Sequence, residues 1–315
     1  MKITVEQYCS EKKSLWDDLI QSSKNGHFMF YRDYMEYHAD RFDDYSLMFF
    51  DEKKRLIAVM PANIKGEIVY SHQGLSFGGL ILSFKATAEI VHDIFLALIE
   101  FLKSSSTAVS LIYKRTPDFY HLYSAQEDLY SLFLFNAELI RRDLSVCIDL
   151  LNPIPFQDMR KRKVKKAKKN NIEVQLDTDF ASFWNVLNEV LKKQHGVQPV
   201  HSLEEINHLK SIFPDNIKCF SARLNGEILA GTVIYETQTV AHAQYLASND
   251  KGRELGALDL VIDFLIKDVY KDKKYFDFGI STESDGRFLN KGLISQKEGF
   301  GARGQVHDFY EIKLV

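Results

Sequence analysis

Cysteine is scarce in this chain of 315 residues, with only Cys9, Cys147 and Cys219. An odd number of widely separated cysteines, without C-x-x-C spacing or a neighbouring histidine, predicts neither a disulfide framework nor a zinc site. H-E-x-x-H, a Walker loop and a G-x-S-x-G elbow are also absent. The sequence therefore gives no support to metal-dependent or nucleotide hydrolysis, and we expect no metal cofactor.

Long apolar runs are missing too. Nowhere do eighteen apolar residues follow one another, so no membrane span is expected. The first residues, "MKITVEQYCSEKKSLWDDL", have no apolar stretch ahead of a small-residue cleavage site. We therefore expect a cytoplasmic location.

Positive charge is concentrated in one segment, which holds eight Lys or Arg between Arg160 and Lys169. The whole chain carries a formal charge of −3, so the remainder carries −11 once those eight are set aside. A general polyanion binder spreads its positive charge over a face, and a pI near 6.4 argues against one. Three interpretations of the run stay open: a solvated helix face, a rim that attracts a phosphorylated or tRNA-linked substrate, and a nucleic-acid-binding helix.

The run is predicted to form a helix that starts near Pro155. On this helix a narrow apolar stripe is formed by Phe156, Val164 and Ala167, and the basic residues occupy the remaining surface.

The chain shows one pattern twice, at an offset of roughly 170 residues. In the first half, strands at 55–64 and 67–82 precede an amphipathic helix and the strand "AVSLIY" (108–113). In the second half, a hairpin at 223–235 turns at Asn225-Gly226, followed by a strand at 240–250. A helix from about Ala257 to Tyr270 and the strand "YFDFGIS" (275–281) complete the repeat.

This order predicts an α/β (α+β) chain with two tandem domains, each a mixed, mostly antiparallel sheet flanked by helices. The prolines of "LLNPIPF" (150–156) interrupt the pattern. We therefore predict domains at 1–152 and 153–315.

The second half also carries a recognisable series of segments: "NGEILAGTVIY", "QYLASND", "YFDFGIS" and "LNKGLISQKEGFGARG". Behind a basic helix and in this order, the series resembles the Fem family of peptidyltransferases and related acyltransferases of the GNAT (acyl-CoA N-acyltransferase) fold. The resemblance implies two GNAT-like domains, with the acceptor side on the first and acyl transfer on the second. It also implies transfer of an aminoacyl group from tRNA, or an acyl group from coenzyme A, to an amine, often on a cell-wall precursor.

The resemblance further implies the partners. The donor is acyl-CoA, with acetyl-CoA as the simplest case, or aminoacyl-tRNA, and the acceptor is a phosphorylated sugar or peptidoglycan-type precursor. The long helical arm of some Fem enzymes has no counterpart here, which favours the thioester donor. A nucleic-acid-binding module that uses residues 160–169 stays as the alternative function.

Lys297 in "QKEGFG" matches the family's F-K-x-G-F-G lysine, which helps to stabilise the charged transition state. Gln296 replaces the usual aromatic residue before it. The overlapping "GFGARG" satisfies G-x-G-x-x-G, but a dinucleotide site needs a strand before and a helix after, and the residues that follow alternate as a strand.

A phosphate site is a second candidate. In "KGRELGA", Arg253 and Gly256 have part of the spacing that GNAT enzymes use for the pyrophosphate of coenzyme A. An ordinary helix entry with a charged surface loop explains the segment equally well. Arg287, in the loop after "DFG", is a candidate for a bidentate clamp on phosphate or carboxylate.

The remaining candidates lie on strands and in an aromatic segment. Tyr245 and Ser248 fall on the strand that lines the acyl site in this fold, although a strand tyrosine is more often core. His72 and His242 are candidate proton acceptors near neutral pH, against the more usual role of a buried core histidine. Arg32 and Tyr34, in "FYRDYMEYHADRF" (30–42), suit an aromatic-walled acceptor pocket, and helix packing explains the aromatic residues equally well.

Overall fold

The computed structural model describes residues 1–105 and 107–314. The chain forms two compact units. The first unit comprises Met1–Asp143, Ser284–Arg287 and Val306–Val315, and the second comprises Leu144–Glu283 and Phe288–Gln305. The predicted division at 152/153 stays a prediction. The compact units group residues 144–152 with the second half and most of the C-terminal strand, from Val306 onward, with the first.

The first unit contains short strands and four α-helices among its described residues. Its strands are β1 (Thr4–Gln7), β2 (Asp43–Asp44), β3 (Leu47–Phe50), β4 (Leu56–Met60), β5 (Asn63–Lys65), β6 (Ile68–Tyr70), β7 (Ile81–Leu82) and β8 (Ser110–Lys114). Its helices are α1 (Lys13–Gln21), α2 (Arg32–Met35), α3 (Ala88–Ser105) and α4 (Glu127–Leu134).

The predicted strand 55–64 is in fact two strands, β4 and β5, on either side of Pro61-Ala62. Proline has no backbone N–H to donate to a ladder, so pairing breaks there. Strand β4 joins a four-stranded sheet of order β1-β3-β4-β7, whereas β5 pairs with β2 and β6. The predicted strand 67–82 is likewise interrupted, because His72 takes a left-handed backbone conformation with φ +70°.

Helix α3 forms because its apolar residues recur at helical spacing. Val91, Ile94, Phe95, Leu98 and Leu102 are all fully buried, so one stripe of the helix supplies much of the first unit's core. The helix also connects β6 to β8, which pair in parallel, and a parallel pair needs such a crossover.

Strands β9 (Glu138–Asp149) and β17 (Arg303–Lys313) each contribute residues to both units. The second unit further contains β10 (Glu173–Asp177), β11 (Ile217–Leu224), β12 (Glu227–Glu236), β13 (Val240–Ser248), β14 (Tyr275–Ile280), β15 (Thr282–Glu283) and β16 (Phe288–Leu289). Its helices are α5 (Asp158–Lys169), α6 (Ala181–His195), α7 (Leu203–Ile212), α8 (Asp250–Leu255), α9 (Ala257–Phe264) and α10 (Lys291–Glu298). A π-helical turn, Leu265–Val269, extends α9.

The main sheet of the second unit has the order β10-β11-β12-β13-β14-β9. All pairs are antiparallel except β13 with β14, which are joined through α8 and α9. The hairpin β11–β12 turns at Asn225 and Gly226, both with positive φ, as a two-residue turn requires. Each unit thus has one parallel pair with a helical crossover inside an otherwise antiparallel arrangement. The predicted fold class is confirmed.

The basic run forms α5, which begins at Asp158 rather than near Pro155. Val164 and Ala167 are buried as predicted, but so is Arg160, which pairs with Asp259 at 2.9 Å across the core. The Arg160 guanidinium also lies 4.6 Å from the centre of the Phe300 ring. The expectation of eight solvated charges was therefore wrong for Arg160.

Candidate active site

A buried carboxylate lies in the middle of β14. Phe276 and Phe278 point into the core of the second unit, so the period of two in a strand places Asp277 on the opposite face. Asp277 is fully buried, and its register partner on β13 is His242. A buried charge of this kind requires hydrogen-bond donors around it.

The donors around the Asp277 carboxylate include His242, Ser145 and Gly279. His242 Nδ1 lies 2.8 Å from Oδ2, while Ser145 Oγ and the backbone N–H of Gly279 donate to Oδ1 at 2.7 Å and 3.0 Å. The contact with Oδ2 orients the imidazole and places the proton of the neutral ring on Nδ1, which makes Nε2 the basic nitrogen.

Gly279 connects this pair to Lys297. Its φ of +73° is left-handed, a conformation that glycine adopts without strain. A Cβ at this position would lie 3.4 Å from His242 Cε1, so the ring packs directly against the glycine. The Gly279 carbonyl oxygen in turn accepts a hydrogen bond from Lys297 Nζ at 2.8 Å.

Lys297 lies near the end of α10 and is only 6% exposed. Its Nζ also donates to the carbonyl oxygen of Ile280 at 2.7 Å. Burial lowers the pKa of Lys297 to about 8, partly opposed by the nearby Asp277 carboxylate. At neutral pH the side chain is mostly cationic, and two of its three N–H donors contact carbonyl oxygens of the described residues, which leaves the third for a substrate.

Aminolysis of an acyl group needs a base and a cation, and here a carboxylate-bound imidazole and an ammonium both contact Gly279. The imidazole accepts the proton of an attacking amine, and the ammonium stabilises the developing oxyanion. The structure thus brings together Lys297 and His242, which the sequence named separately.

Tyr245 lies on the same strand as His242 but has different partners. Its hydroxyl is 2.6 Å from His201 Nδ1, and its ring meets Trp184 edge to face with centroids 5.1 Å apart. Burial raises the pKa of Tyr245 to about 12, so the phenol stays protonated at neutral pH. In this arrangement Tyr245 can act only as a neutral hydrogen-bonding group.

The predicted phosphate segment is helical. Arg253 lies in α8, where its guanidinium donates to the Ser248 carbonyl oxygen at 2.6 Å and to the Asp250 carboxylate. Ser248 is buried at the end of β13. Gly256 ends α8 with φ +80°, and a Cβ there would lie 2.5 Å from the carbonyl oxygen of Lys163 on α5. Gly256 therefore permits close helix packing.

In the first unit, a pocket of about 470 Å³ contains both Arg32 and His72. The buried Arg32 guanidinium pairs with Glu36 at 3.0 Å and with Asp44, and it lies 3.8 Å from the centre of the Tyr8 ring. Tyr34 does not line this pocket; it packs edge to face against Phe28 in the core.

His72 is a weak base in this pocket. Burial, followed by the neighbouring His38, lowers the pKa of His72 to about 3. Its Nδ1 accepts a hydrogen bond from the Gly74 backbone N–H at 3.2 Å. These observations argue against proton transfer by His72 near neutral pH and leave it as a neutral hydrogen-bonding group.

Arg287 lies in the tight turn between β15 and β16, where its backbone N–H donates to the Ser284 carbonyl at 3.1 Å. Its side chain is exposed and makes no ion pair with any described residue. The "GFGARG" segment follows helix α10 and runs into the start of β17, the reverse of a dinucleotide site.

Comparison with known proteins identifies the fold. Residues 157–286 match the acetyltransferase (GNAT) domain family, a range that includes His242, Asp277 and Gly279. The crystal structure of FemX superposes with a TM-score of 0.69 at 10% identity, covering 99% of this chain and 97% of that one. The chain is an acyltransferase with a GNAT domain at residues 157–286 and the fold of FemX.

Two further solved structures share the fold of this acyltransferase. L-PGS from Bacillus licheniformis aligns with a TM-score of 0.59 at 11% identity, over 97% of this chain and 92% of that one. A tandem GNAT protein from the clavulanic acid biosynthesis pathway aligns with a TM-score of 0.53 at 9% identity. The alignment covers 100% of this chain and 99% of that one. No curated protein matches the sequence significantly.

The sequence did not single out Asp277, Ser145 or His201 as site residues of the acyltransferase. Asp277 had a signal, since a charged residue stands between two phenylalanines in an apolar strand. No sequence pattern points to Ser145 or His201, because their partners Asp277 and Tyr245 lie far away in the chain.

The described part of the acyltransferase holds no group of three or more His, Cys, Asp or Glu arranged to bind a metal ion. Within the same residues, none of the helices combines the length and apolarity that crossing a bilayer takes.

Proposed function

We propose that this acyltransferase moves an acyl or aminoacyl group from acyl-CoA or aminoacyl-tRNA to an amine on a cell-envelope or surface-polysaccharide precursor in the cytoplasm. The observation that carries the proposal is the arrangement around Gly279. This residue contacts the His242 ring, donates to Asp277 and accepts from Lys297.

The proposed reaction begins with attack of the acceptor amine on the donor carbonyl carbon. His242 removes the amine proton as the new C–N bond forms, and Asp277 stabilises the resulting imidazolium. The remaining N–H of Lys297 stabilises the oxyanion. When the intermediate collapses, the bond to sulfur or to the tRNA ribose oxygen breaks, and the leaving group takes the proton from His242.

We propose acetyl-CoA or a related acyl thioester as the first donor to test. The GNAT domain family that matches residues 157–286 supports this choice over charged tRNA. Ser248, Arg253 and Gly256 stay candidates for contacts with the donor. Arg253 pairs with Asp250, which also pairs with Lys193, so a phosphate would compete with this carboxylate for the guanidinium.

The pocket of the first unit supports an amine-bearing acceptor. It is lined by Glu36, Asp43 and Asp44 against one arginine, Arg32, which is already paired. This excess of carboxylates complements a protonated amine better than a phosphate. Any phosphate on the acceptor would then bind elsewhere, and the exposed Arg287 stays a candidate for that contact.

The nucleic-acid alternative has less support. Four of the eight basic residues in α5 are paired with acids, namely Arg160, Lys161, Lys166 and Lys168. The nucleic-acid alternative would regain support if the protein binds RNA with an affinity that falls steeply with salt. This affinity should also fall when the unpaired basic residues of α5 are neutralised.

The test follows thiol release from acetyl-CoA with a panel of amine acceptors, alongside thermal shifts with acetyl-CoA and with charged tRNA. Lys297→Met is compared with Lys291→Met, which removes an exposed lysine from the same helix. We expect acetyl-CoA to raise the thermal unfolding temperature of the unmodified protein. Lys297→Met should lose turnover, whereas Lys291→Met should keep it. Tight binding of charged tRNA with no response to any acyl-CoA would overturn the thioester donor. Equal activity of the two variants would overturn the site.

A further inference from the structure

A groove of about 610 Å³ runs along the second unit beside α5. Its floor is apolar, formed mainly by Ile154, Phe156, Val164 and Ile266. This groove is separate from Lys297 and from the pair of His242 and Asp277, none of which lines it.

The apolar wall of the groove is held in place by the glycine-rich segment behind it. The Gln157 N–H donates to the Gly299 carbonyl at 2.9 Å, and Phe156 meets Phe300 edge to face with centroids 5.3 Å apart. Gly301 lies so close that a Cβ would be 2.1 Å from the Ile154 carbonyl oxygen. The groove is therefore preformed.

Lysines surround this apolar floor. The lining includes Lys161, Lys165, Lys168, Lys267 and Lys271, and its one acid is Asp263. Asp263 already pairs with both Lys168 and Lys267. Lys165 and Lys271 are exposed, and neither forms an ion pair or hydrogen bond with any residue in the described ranges.

Large apolar side chains are exposed next to the same groove. Leu151 is 65% exposed, Ile154 42% and Met159 45%, all within or directly before α5. A surface that combines unpaired lysines with exposed apolar side chains matches an amphiphilic anion. Nucleic acid and free phosphate would use the charges but leave the apolar floor unexplained.

We propose that this groove docks the protein on an anionic membrane surface. An acyl chain of an anionic phospholipid lies along Ile154, Phe156 and Ile266, and its phosphate binds Lys165 and Lys271. Docking of this kind is independent of the proposed acyl transfer, because it uses none of the residues around Gly279.

The test measures co-sedimentation of the full chain with vesicles of phosphatidylcholine alone and of phosphatidylcholine with phosphatidylglycerol. Each lysine near an anionic surface contributes about fivefold to partitioning. Lys165→Gln with Lys271→Gln should therefore weaken binding about thirtyfold, and Ile154→Ser should weaken it separately. The matched control is Arg162→Gln with Lys169→Gln, which removes two exposed charges of α5 that do not line the groove.

We expect binding only to the phosphatidylglycerol vesicles and a much smaller loss in the control pair. Thermal unfolding and the shift with acetyl-CoA should be unchanged in every variant. Failure to prefer phosphatidylglycerol, or equal losses in the two lysine pairs, would overturn the groove as a lipid site. The proposal would also be overturned if RNA displaces the vesicles and if RNA binding depends on Lys165 and Lys271 but not on Ile154.

Discussion

The side-chain nitrogen of Lys297 lies 2.8 Å from the carbonyl oxygen of Gly279, inside the second unit and largely out of solvent. Two carbonyl dipoles, from Gly279 and Ile280, replace part of the hydration that the ammonium has lost. Burial nevertheless lowers its pKa to about 8. The positive charge of Lys297 is therefore sensitive to pH in a range where the enzyme can be assayed.

The pH dependence of kcat/KM tests the charge on Lys297. Because burial lowers its pKa from 10.5 to about 8, the cation is present below pH 8 and is lost as the pH rises through that value. We expect kcat/KM to fall above about pH 8. In Lys297→Arg, which keeps its charge throughout this range, activity is lower but this fall is absent. A decline at the same pH in Lys297→Arg would show that another group titrates.

Asp277→Asn tests the orientation of His242. An amide keeps the size of the side chain but removes the charge that stabilises the imidazolium, so we expect kcat to fall about a hundredfold or more with little change in KM. Ser145→Ala is the matched control, since it removes a hydrogen-bond donor to Asp277 and leaves His242 in place. A loss in Ser145→Ala as large as that in Asp277→Asn would point to a structural role for the carboxylate.

Features set by neighbouring residues could be predicted from the sequence. The Asn225-Gly226 hairpin and the capping box of Ser202 and Glu205 at the start of α7 depend only on local backbone preferences. The helix–strand order of both units followed from apolar periodicity.

Features that depend on contacts between distant segments could not be predicted. The sequence named His242 and Lys297 but not their link, because Asp277 faces His242 only through the parallel pairing of β13 and β14. Arg160 was expected in solvent with its seven basic neighbours, and nothing local reveals that Asp259 lies opposite it in the core. The left-handed backbone conformation of His72 likewise could not be predicted from the fact that the residue is a histidine.

Asp259→Ala tests the buried ion pair. Arg160 and Asp259 are 7% and 6% exposed, so removing the carboxylate leaves a buried guanidinium without its counter-charge. We expect a loss of about 3–5 kcal/mol in the free energy of unfolding. Arg160→Met with Asp259→Leu should recover most of this loss, because no buried charge then remains. If the double variant is no more stable than Asp259→Ala, the pair stabilises the fold through packing or hydrogen bonds as well as through its charges.

Gly256→Ala tests the packing of α5 on the junction of α8 and α9. A Cβ would be 2.5 Å from the Lys163 carbonyl oxygen, so the helices must separate, and the left-handed φ of +80° adds strain. Gly196→Ala is the matched control: it ends α6 with φ +67° but has nothing within 4 Å of the added Cβ. We expect Gly256→Ala to lose about 1–3 kcal/mol more than Gly196→Ala. Urea unfolding in a Trp16→Phe background measures both, because Trp184 then reports on the second unit. Equal losses in the two variants would show that strain alone, and not helix contact, requires glycine at position 256.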